Sequence, residues 1–586
     1  MKPEGKIPMF IFGLLLLVGC TNKGQLLTDS IRFNQLGFYP SEEKIAVYAG
    51  DRFPDEFIIR NTADEKVVYT GAVSSPRSSL FSDKKTVVMD FSSLTTEGSY
   101  RLELPNIGCS NDFEIKPAML EEVAKAGIKA FYYQRSGIPI EEKYAGKWVR
   151  EAAHPDNQVL VHASAADETR PEGTILSSPK GWYDAGDYNK YIVNSGFTVG
   201  VLLSLYEDYP DQIALLNTNI PESDNSTPDL LDEIHWNLDW MLTMQDPKDG
   251  GVYHKLTNPS FEAFIKPIEC KQTRYVVAKS VTAALDFAAS MAQASRIYRA
   301  YETDYPGFAD KALMASEKAY AWALANPEHF YRQSVLNNQY KPEIRTGEYG
   351  DRSASDEFFW ASVELYITTR KTSYLNQIEK FMPEQYNLPV WGNVASLGAY
   401  SMLRCLNTDN MDIVASIVSK LKEQLIEYVS KTINDAEESP YKAPYGRFET
   451  DFFWGCNSDA ASSQGMAFLY AWKLTGDRSY LTNALRNMDY ILGRNATGYC
   501  YITGFGTKSP MSPHHRLSAT DDITDPLPGY LIGGPNPKKQ DGCEYPSDVP
   551  DECYVDIVDS YASNEIAINW QALFSYFSSA LHYNLQ

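Results

Sequence analysis

The hydrophobic period of the chain changes near Pro117, and this change constrains the fold more than any other feature. Between residues 30 and 116, short β-branched and aromatic runs are separated by Gly, Asp and Pro. This pattern predicts a small all-β sandwich. After Pro117 apolar residues recur at helical spacing over long stretches, which indicates a mainly α second part. The sandwich strands are predicted at residues 44–48, 66–69, 86–91 and 99–104.

About twelve helices can be drawn in the second part. The clearest apolar stripe lies in residues 229–242. Long loops rich in Gly, Pro and aromatic residues join the helices, and loops on a rigid scaffold are where functional residues usually lie. Other strong helical candidates among these are residues 119–134, 195–207, 279–301, 309–325, 355–369, 410–430, 458–474, 478–491 and 563–582.

The charge balance excludes some partners. The 586 residues carry 53 Lys and Arg against 76 Asp and Glu, a formal net charge of -23. Such an acidic chain is not suited to nucleic acid or to an anionic membrane surface. It suits a neutral ligand and a soluble protein body, which we expect to be a monomer.

The N-terminus has the features of a targeting segment. Lys2 and Lys6 precede an apolar run over residues 7–18, which is too short to span a bilayer comfortably. The following Leu17-Val18-Gly19-Cys20 resembles a bacterial lipobox. This predicts that residues 1–19 are a lipoprotein signal peptide, that Cys20 is lipidated, and that the lipid is the only membrane contact, in the cell envelope. An ordinary signal peptide cleaved nearby is the alternative.

The loop from Gly181 to Tyr188 is the first candidate for chemistry. It places Asp184 and Asp187 three residues apart, with small residues between them and aromatic residues on both sides. A close carboxylate pair can hold a water and take its proton, and aromatic faces stack on sugars. Far downstream, Glu565 is a candidate acid, so the three suggest glycoside hydrolysis. Turn or cap roles for the two aspartates are the alternative, and the residues do not decide which of the pair is the base.

Several separated motifs, taken in order, resemble glycoside hydrolase family 9, an inverting cellulase family, in its branch with an N-terminal immunoglobulin-like domain. The resemblance runs from Ile31 to the C-terminus. It implies an immunoglobulin-like sandwich over residues 27–116 and an (α/α)6-barrel hydrolase domain with an open cleft over residues 117–586. The motifs are Asp184-Ala185-Gly186-Asp187, the segment 503–516, the wall segment 529–536 and the segment 554–572. Cys500 and Gln571 depart from the usual residues.

The resemblance implies a role for each candidate. Asp187 is the general base, Asp184 helps to hold the attacking water, Glu565 is the general acid and Asp556 assists it. An inverting enzyme leaves room for water, with roughly 6.5–9.5 Å between the carboxyl groups. Burial should keep Glu565 protonated near neutral pH.

The resemblance also implies substrate contacts. His514 and Arg516 grip sugar hydroxyls near the cleavage point, and Trp454 stacks on a sugar ring. Further candidates for the cleft lining are Trp391, His254 and Tyr561. Core packing is the alternative for Trp454 and Trp391, and a structural role is the alternative for His254.

No cofactor is required for this chemistry, but many family members bind calcium. The corresponding donors here are Asp356 and Glu357, while a carboxylate expected after Trp391 is replaced by Gly392-Asn393.

A zinc site of the family is predicted to be absent. Only His154 of its four ligands is retained, with Ser136, Ala153 and Lys190 at the other positions. Separately, Cys543 and Cys553 flank a Pro-containing loop and could pair.

The favoured interpretation is an inverting endo-β-1,4-glucanase that acts on cellulose-like or mixed-linkage β-glucan. A xyloglucanase or an exo-acting β-glucosidase would use the same catalytic residues with a different cleft. A non-catalytic glycan-binding lipoprotein is the hypothesis from another class, although a pure binder has no use for a buried acid.

Overall fold

The computed structural model describes residues 26–79, 81–406 and 412–586. A β-sandwich forms the N-terminal part, and helices dominate the rest. The prediction of a mainly α catalytic domain preceded by a small sandwich is confirmed. Among these residues, no helix has both the length and the apolar character needed to cross a bilayer.

The sandwich consists of two antiparallel sheets. One sheet has the order β1-β2-β5, and the other has β4-β3-β6-β7 with β8 paired to β6. Phenylalanines from both sheets meet in its core, where the rings of Phe38, Phe91 and Phe113 pack within 5.6 Å of one another. The strands are β1 Ile31–Arg32, β2 Ile45–Ala49, β3 Glu56–Asn61, β4 Val67–Ala72, β5 Thr86–Asp90, β6 Gly98–Leu104, β7 Gly108–Cys109 and β8 Phe113–Ile115.

A second five-stranded sheet lies in the catalytic domain, in the order β10-β9-β13-β12-β11. Strand β11 leads from the Asp184–Asp187 loop into helix α3 and pairs with β12. The sheet therefore holds the C-terminal end of the loop. Its strands are β9 Val159–Val161, β10 Ile175–Leu176, β11 Lys190–Tyr191, β12 Lys255–Thr257 and β13 Tyr275–Val276.

Helices of the catalytic domain pack on one another in a series of pairs. In chain order, α3 packs on α6, α6 on α9, α9 on α11, α11 on α12, α12 on α14, α14 on α18, and α18 on α3. Helices α3, α6 and α18 are buried on nearly every side, which is expected of inner helices. The helices are α1 Glu121–Gln134, α2 Glu142–Ala145, α3 Ile192–Asp208, α4 Pro210–Ile213, α5 Asp229–Thr243, α6 Val281–Tyr298, α7 Phe308–Ala325, α8 Gln333–Gln339, α9 Ser355–Thr369, α10 Thr372–Phe381, α11 Ala395–Cys405, α12 Asp412–Thr432, α13 Asp435–Glu438, α14 Ser463–Thr475, α15 Arg478–Ile491, α16 Arg516–Ala519, α17 Tyr561–Asn564 and α18 Ile568–Leu585.

Two predicted helices begin later than expected, and both differences matter for the site. The helix predicted over 563–582 begins at Ile568, so Glu565 lies in an extended segment before it. The helix predicted over 458–474 is preceded by a π-helical turn, Asn457–Ser462. In both cases hydrogen bonds to distant loops override local helix preference. Helices α10 and α11 were not predicted.

Candidate active site

The Asp184–Asp187 loop is fixed at both ends. The Ile568 N–H donates to the Asp184 carbonyl over 2.8 Å, which fastens the loop to the start of α18. The Asp184 N–H donates to the Asn189 carbonyl over 3.1 Å and folds the loop back on itself. Gly186 is required between them, because a Cβ there would lie 2.3 Å from the His514 carbonyl oxygen.

Asp184 is buried and accepts hydrogen bonds on both oxygens. The Asn194 amide donates to Oδ1 over 2.7 Å, and the Tyr349 hydroxyl donates to Oδ2 over 2.6 Å. Burial, and then the charge of Asp187, raise the pKa of Asp184, while the two donors oppose that rise. Asp184 is therefore a held carboxylate with little freedom to take part in proton transfer.

Asp187 is also buried, but its oxygens are not used equally. The Asn189 amide and the Tyr191 hydroxyl both donate to Oδ2, the latter over 3.1 Å. The described side chains give no hydrogen bond to Oδ1. Asp187 thus keeps one oxygen for a water or a proton.

Glu565 lies against the same loop. The Gly186 N–H faces its Oε1 at 3.4 Å, and the Gly533 N–H donates to its backbone carbonyl over 2.9 Å. Burial, and then the negative charge of Asp187, raise the pKa of Glu565 well above its usual range. A carboxyl group in this setting is suited to donate a proton.

His514 is half-buried and pairs with the Glu565 segment through backbone contacts. Its Nδ1 faces the Val558 carbonyl at 2.7 Å, and burial lowers its pKa to about 4. Because a carbonyl can only accept, Nδ1 carries the proton and Nε2 is left as an acceptor. A neutral His514 can therefore accept a hydrogen bond from a sugar hydroxyl.

Asp556 and Arg516 are engaged mainly with backbone. Asp556 accepts from the N–H groups of Met511 and Ser512 over 2.8 and 2.9 Å, so it holds the segment before His514. Arg516 is buried and donates to the carbonyls of Gly186 and Glu262 over 2.7 Å each. Arg516 therefore connects the catalytic loop at Gly186 to the segment at Glu262, and its guanidinium is bonded to backbone.

A series of aromatic rings crosses the site past Glu565. Trp454 is 42% exposed and lies 5.5 Å from the Tyr561 ring. Tyr561 lies 5.9 Å from the His514 ring, and His514 lies 5.2 Å from Phe264. We call this series the aromatic track; its rings meet at angles of 56–85°, and aromatic faces of this kind can stack on sugar rings.

Trp391 lies on the other side of the aspartates. Its ring packs at 5.0 Å against Tyr349, whose ring lies 4.9 Å from Tyr191. Both tyrosines bond an aspartate, so Trp391 is half-buried over the residues that hold Asp184 and Asp187.

His254 does not line the cleft, contrary to prediction. It is fully buried, with Nδ1 at 2.8 Å from the Ser280 hydroxyl and Nε2 at 2.8 Å from the Glu348 carbonyl. The next residue, Lys255, is also fully buried and donates to the Gly347 carbonyl over 2.6 Å. Together they clamp the segment that presents Tyr349 to Asp184, a structural role.

The predicted calcium donors lie at the start of α9. The Val394 N–H donates to Asp356 Oδ2 over 2.9 Å, while Glu357 is buried with Oε2 unpartnered. The side-chain oxygen of Asn393 is also enclosed without a partner. No group of three His, Cys, Asp or Glu suited to a metal occurs in the described part of the chain. Carboxylate and amide oxygens such as these three are donors of the type that a hard cation prefers.

At the position of the family's zinc site, Lys190 stands in place of a ligand. Lys190 forms a buried ion pair with Asp156 at 2.7 Å and donates to the Lys180 carbonyl over 2.7 Å. The two cysteines that could pair, Cys543 and Cys553, do not form a disulfide. Cys20 lies outside the described residues.

Five residues of the site were missed by sequence reasoning. No sequence motif marks these residues, because each one contributes through a contact that forms only when the chain folds. The αL backbone of Tyr349, with φ 44°, is likewise invisible in the sequence. They are Tyr191, Asn194, Lys255, Phe264 and Tyr349.

Comparison with known proteins agrees with this geometry. Residues 121–578 match the family described as glycosyl hydrolase family 9, and residues 27–108 match the cellulase N-terminal Ig-like domain. The chain belongs to glycosyl hydrolase family 9. It is therefore a glycoside hydrolase of an endoglucanase family, with a polysaccharide or oligosaccharide as its substrate.

Individual members of the family are similar over nearly the whole chain. A xyloglucan-specific endo-β-1,4-glucanase of Bacteroides ovatus is 55% identical over 577 residues, 97% of each chain. Endoglucanase D of Acetivibrio thermocellus is 34% identical over 556 residues, 93% of this chain and 82% of the relative. A solved structure described as Bacteroides ovatus GH9 has a TM-score of 0.92 at 53% identity, covering 96% of this chain and all of the other.

Proposed function

We propose that this family 9 enzyme is an inverting endo-β-1,4-glucanase with Asp187 as the base and Glu565 as the acid. The observation that carries the assignment is the unequal use of the two aspartates. Asp184 accepts on both oxygens, whereas both bonds to Asp187 end on Oδ2. Only Asp187 therefore has an oxygen to receive a proton from water.

The reaction follows from these positions. Asp187 takes a proton from a water that Asp184 helps to hold, and the water oxygen bonds to the anomeric carbon. The glycosidic C–O bond breaks on the opposite face, and Glu565 gives its proton to the departing oxygen. Two products leave, with the configuration inverted at the new reducing end. His514 orients a hydroxyl by accepting its hydrogen bond at Nε2.

Xyloglucan is the substrate that one relative, the Bacteroides ovatus enzyme, favours. The Bacteroides ovatus enzyme that is 55% identical is named as specific for xyloglucan. The exposed side of Trp454 and the open aromatic track provide a surface on which a branched glucan backbone can lie. Cellulose-like and mixed-linkage glucans are the alternatives within the same chemistry.

The test is a product profile of the mature enzyme on xyloglucan, mixed-linkage glucan, carboxymethylcellulose and cello-oligosaccharides. A ladder of oligosaccharides from a polymer, with the α-anomer formed first by NMR, is expected. Retention of the β-anomer would contradict the base assignment. Release of glucose alone from short oligosaccharides would identify an exo-glucosidase instead.

We further propose a structural calcium ion at Asp356, Glu357 and Asn393. The unpartnered oxygens of Glu357 and Asn393 support it, because enclosed acceptors need a donor or a cation. Bound calcium would stabilise the folded state by mass action. Chelation by EGTA is expected to lower the melting temperature, and calcium to restore it. A melting temperature that neither EGTA nor added calcium changes would contradict the calcium site.

We also propose that the mature protein is a monomer anchored in the cell envelope through a lipid on Cys20. The sequence Leu17-Val18-Gly19-Cys20 supports the anchor. Metabolic labelling with an alkyne fatty acid should mark the wild type and not Cys20→Ala. Equal labelling of both would exclude Cys20 as the site.

A further inference from the structure

A cavity of about 580 Å³ lies beside the catalytic loop, outside the residues assigned so far. Its size falls within the range of small-molecule and sugar-sized sites. Three segments wall it, together with Tyr133: residues 139–151, 266–269 and 517–527.

The walls of this cavity are joined to each other. Ile140 and Arg150 pair through two backbone hydrogen bonds of 2.8 and 3.0 Å, which stiffen the first wall. The Trp148 indole N–H donates to the Asp525 carbonyl over 3.2 Å, and Lys266 pairs with Asp522. The cavity is therefore formed before any ligand arrives.

The cavity lies near the end of the catalytic loop, where the Tyr188 hydroxyl donates to the Ile265 carbonyl over 2.8 Å, next to the lining residue Lys266. Helix α16 begins at Arg516, which bonds the Gly186 and Glu262 carbonyls, and its next turn supplies Leu517 and Thr520 to the cavity. The loop that carries Phe264 supplies the second wall two residues later. Phe264, the last ring of the aromatic track, therefore lies two residues before the second wall of the cavity.

The lining suits a neutral sugar. Tyr133 and Trp148 provide aromatic faces of the type that stack on pyranose rings. Charged groups of both signs provide donors and acceptors, and the carboxylates outnumber the cations, so an anionic ligand is disfavoured. These groups are Arg150 and Lys266 against Glu151, Glu269 and Asp521.

We propose that this cavity binds neutral pyranose units of the substrate, on the side of the cleaved bond opposite Trp454. The inference rests on the proposed glucanase function and adds a binding site to it. The cavity would hold the part of a polysaccharide chain that Phe264 directs away from Glu565. It is a determinant of affinity for long substrates, and it takes no part in proton transfer.

The experiment compares Trp148→Ala with the wild type on two substrates. Xyloglucan is long enough to reach the cavity, whereas 4-nitrophenyl β-cellobioside is a short substrate held mainly around the cleaved bond. We expect KM for xyloglucan to rise about 10-fold, since losing one aromatic contact of this kind costs on the order of 1 kcal/mol or more. The kinetics on the aryl cellobioside should stay unchanged. Ile268→Trp, which narrows the cavity without removing a wall, should have the same effect.

Trp472→Ala is the matched control, because Trp472 is a half-buried tryptophan on α14 that takes no part in the site or the cavity. It should match the wild type on both substrates, and melting curves should show all variants folded. Unchanged xyloglucan kinetics in both cavity variants would overturn the inference, as would equal losses on the two substrates. If the wild type itself cleaves no β-glucan, the proposed glucanase function is wrong. If the wild type is active and only the variants are unaffected, the cavity proposal alone is wrong.

Discussion

At the scale of single residues, Glu565 is the clearest test of the chemistry. Replacing it with Gln keeps the shape and removes the proton, and general acids contribute about 10²–10⁴-fold. We therefore expect kcat on a polysaccharide to fall at least about 100-fold. Burial and the charge of Asp187 raise the pKa of Glu565, so the wild type holds its proton near neutral pH and loses activity as pH rises past that pKa. The alkaline limb of the kcat profile should vanish in the variant.

A dinitrophenyl cellobioside separates this role from general damage. Its leaving group departs without a proton, so Glu565→Gln should retain far more activity on it than on polysaccharide. Asp187→Asn should lose activity on both, because the water must still be activated. An equal loss on both substrates in Glu565→Gln would contradict the acid assignment.

Tyr349 tests how hydrogen bonding sets the pKa of the held aspartate, Asp184. Its hydroxyl bonds Asp184 over 2.6 Å and opposes the rise in pKa that burial causes. In Tyr349→Phe the pKa of Asp184 should rise further, so Asp184 becomes protonated at a higher pH. We expect the acid limb of the kcat/KM profile to move to higher pH, with kcat about 10-fold lower. Tyr340→Phe, which makes no bond to either aspartate, is the control. A lower kcat with an unmoved acid limb would show that Tyr349 only packs.

At the scale of elements, the Asp184–Asp187 loop depends on a close approach. A Cβ at Gly186 would lie 2.3 Å from the His514 carbonyl oxygen and 3.2 Å from Glu565 Oε1. Gly186→Ala must therefore push the base and the acid apart, and a misplacement on the order of 1 Å can cost about 100-fold in rate. Activity assays with circular dichroism test this. Gly392→Ala, where a Cβ meets open space, should retain wild-type activity. Full activity in Gly186→Ala would disprove the constraint.

The elements also show what the sequence can and cannot predict. Periodicity located α5 and α6 within a few residues, because it reports which face of a helix is buried. It placed Glu565 on a helix, although the chain there is extended to meet Gly533. It could not exclude His254 from the cleft, since that depends on Ser280 and Glu348. Motif order predicted the catalytic carboxylates, whereas the residues that hold them are visible only in the folded chain.

At the scale of the whole molecule, the sandwich supports a loop of the active site. Gln35, which follows β1, accepts at Oε1 from the N–H groups of Thr507 and Lys508 over 2.8 and 2.9 Å. Its amide donates to the Gly498 carbonyl over 2.9 Å. These bonds hold the segment that leads to His514. The N-terminal domain therefore holds, through Gln35, the segment that precedes His514.

Gln35→Ala should release that loop. These bonds are exposed or partly buried, and each one lost costs about 0.5–1.5 kcal/mol, so we expect a lower melting temperature and faster proteolysis near Lys508. Because His514 follows on the same segment, kcat/KM on xyloglucan should fall about 10-fold. Arg60→Ala, which breaks the 3.0 Å ion pair with Glu103 inside the sandwich, should lower stability and leave kcat/KM unchanged. If Gln35→Ala behaves like Arg60→Ala, the sandwich contributes stability alone, and the position of His514 is set within the catalytic domain.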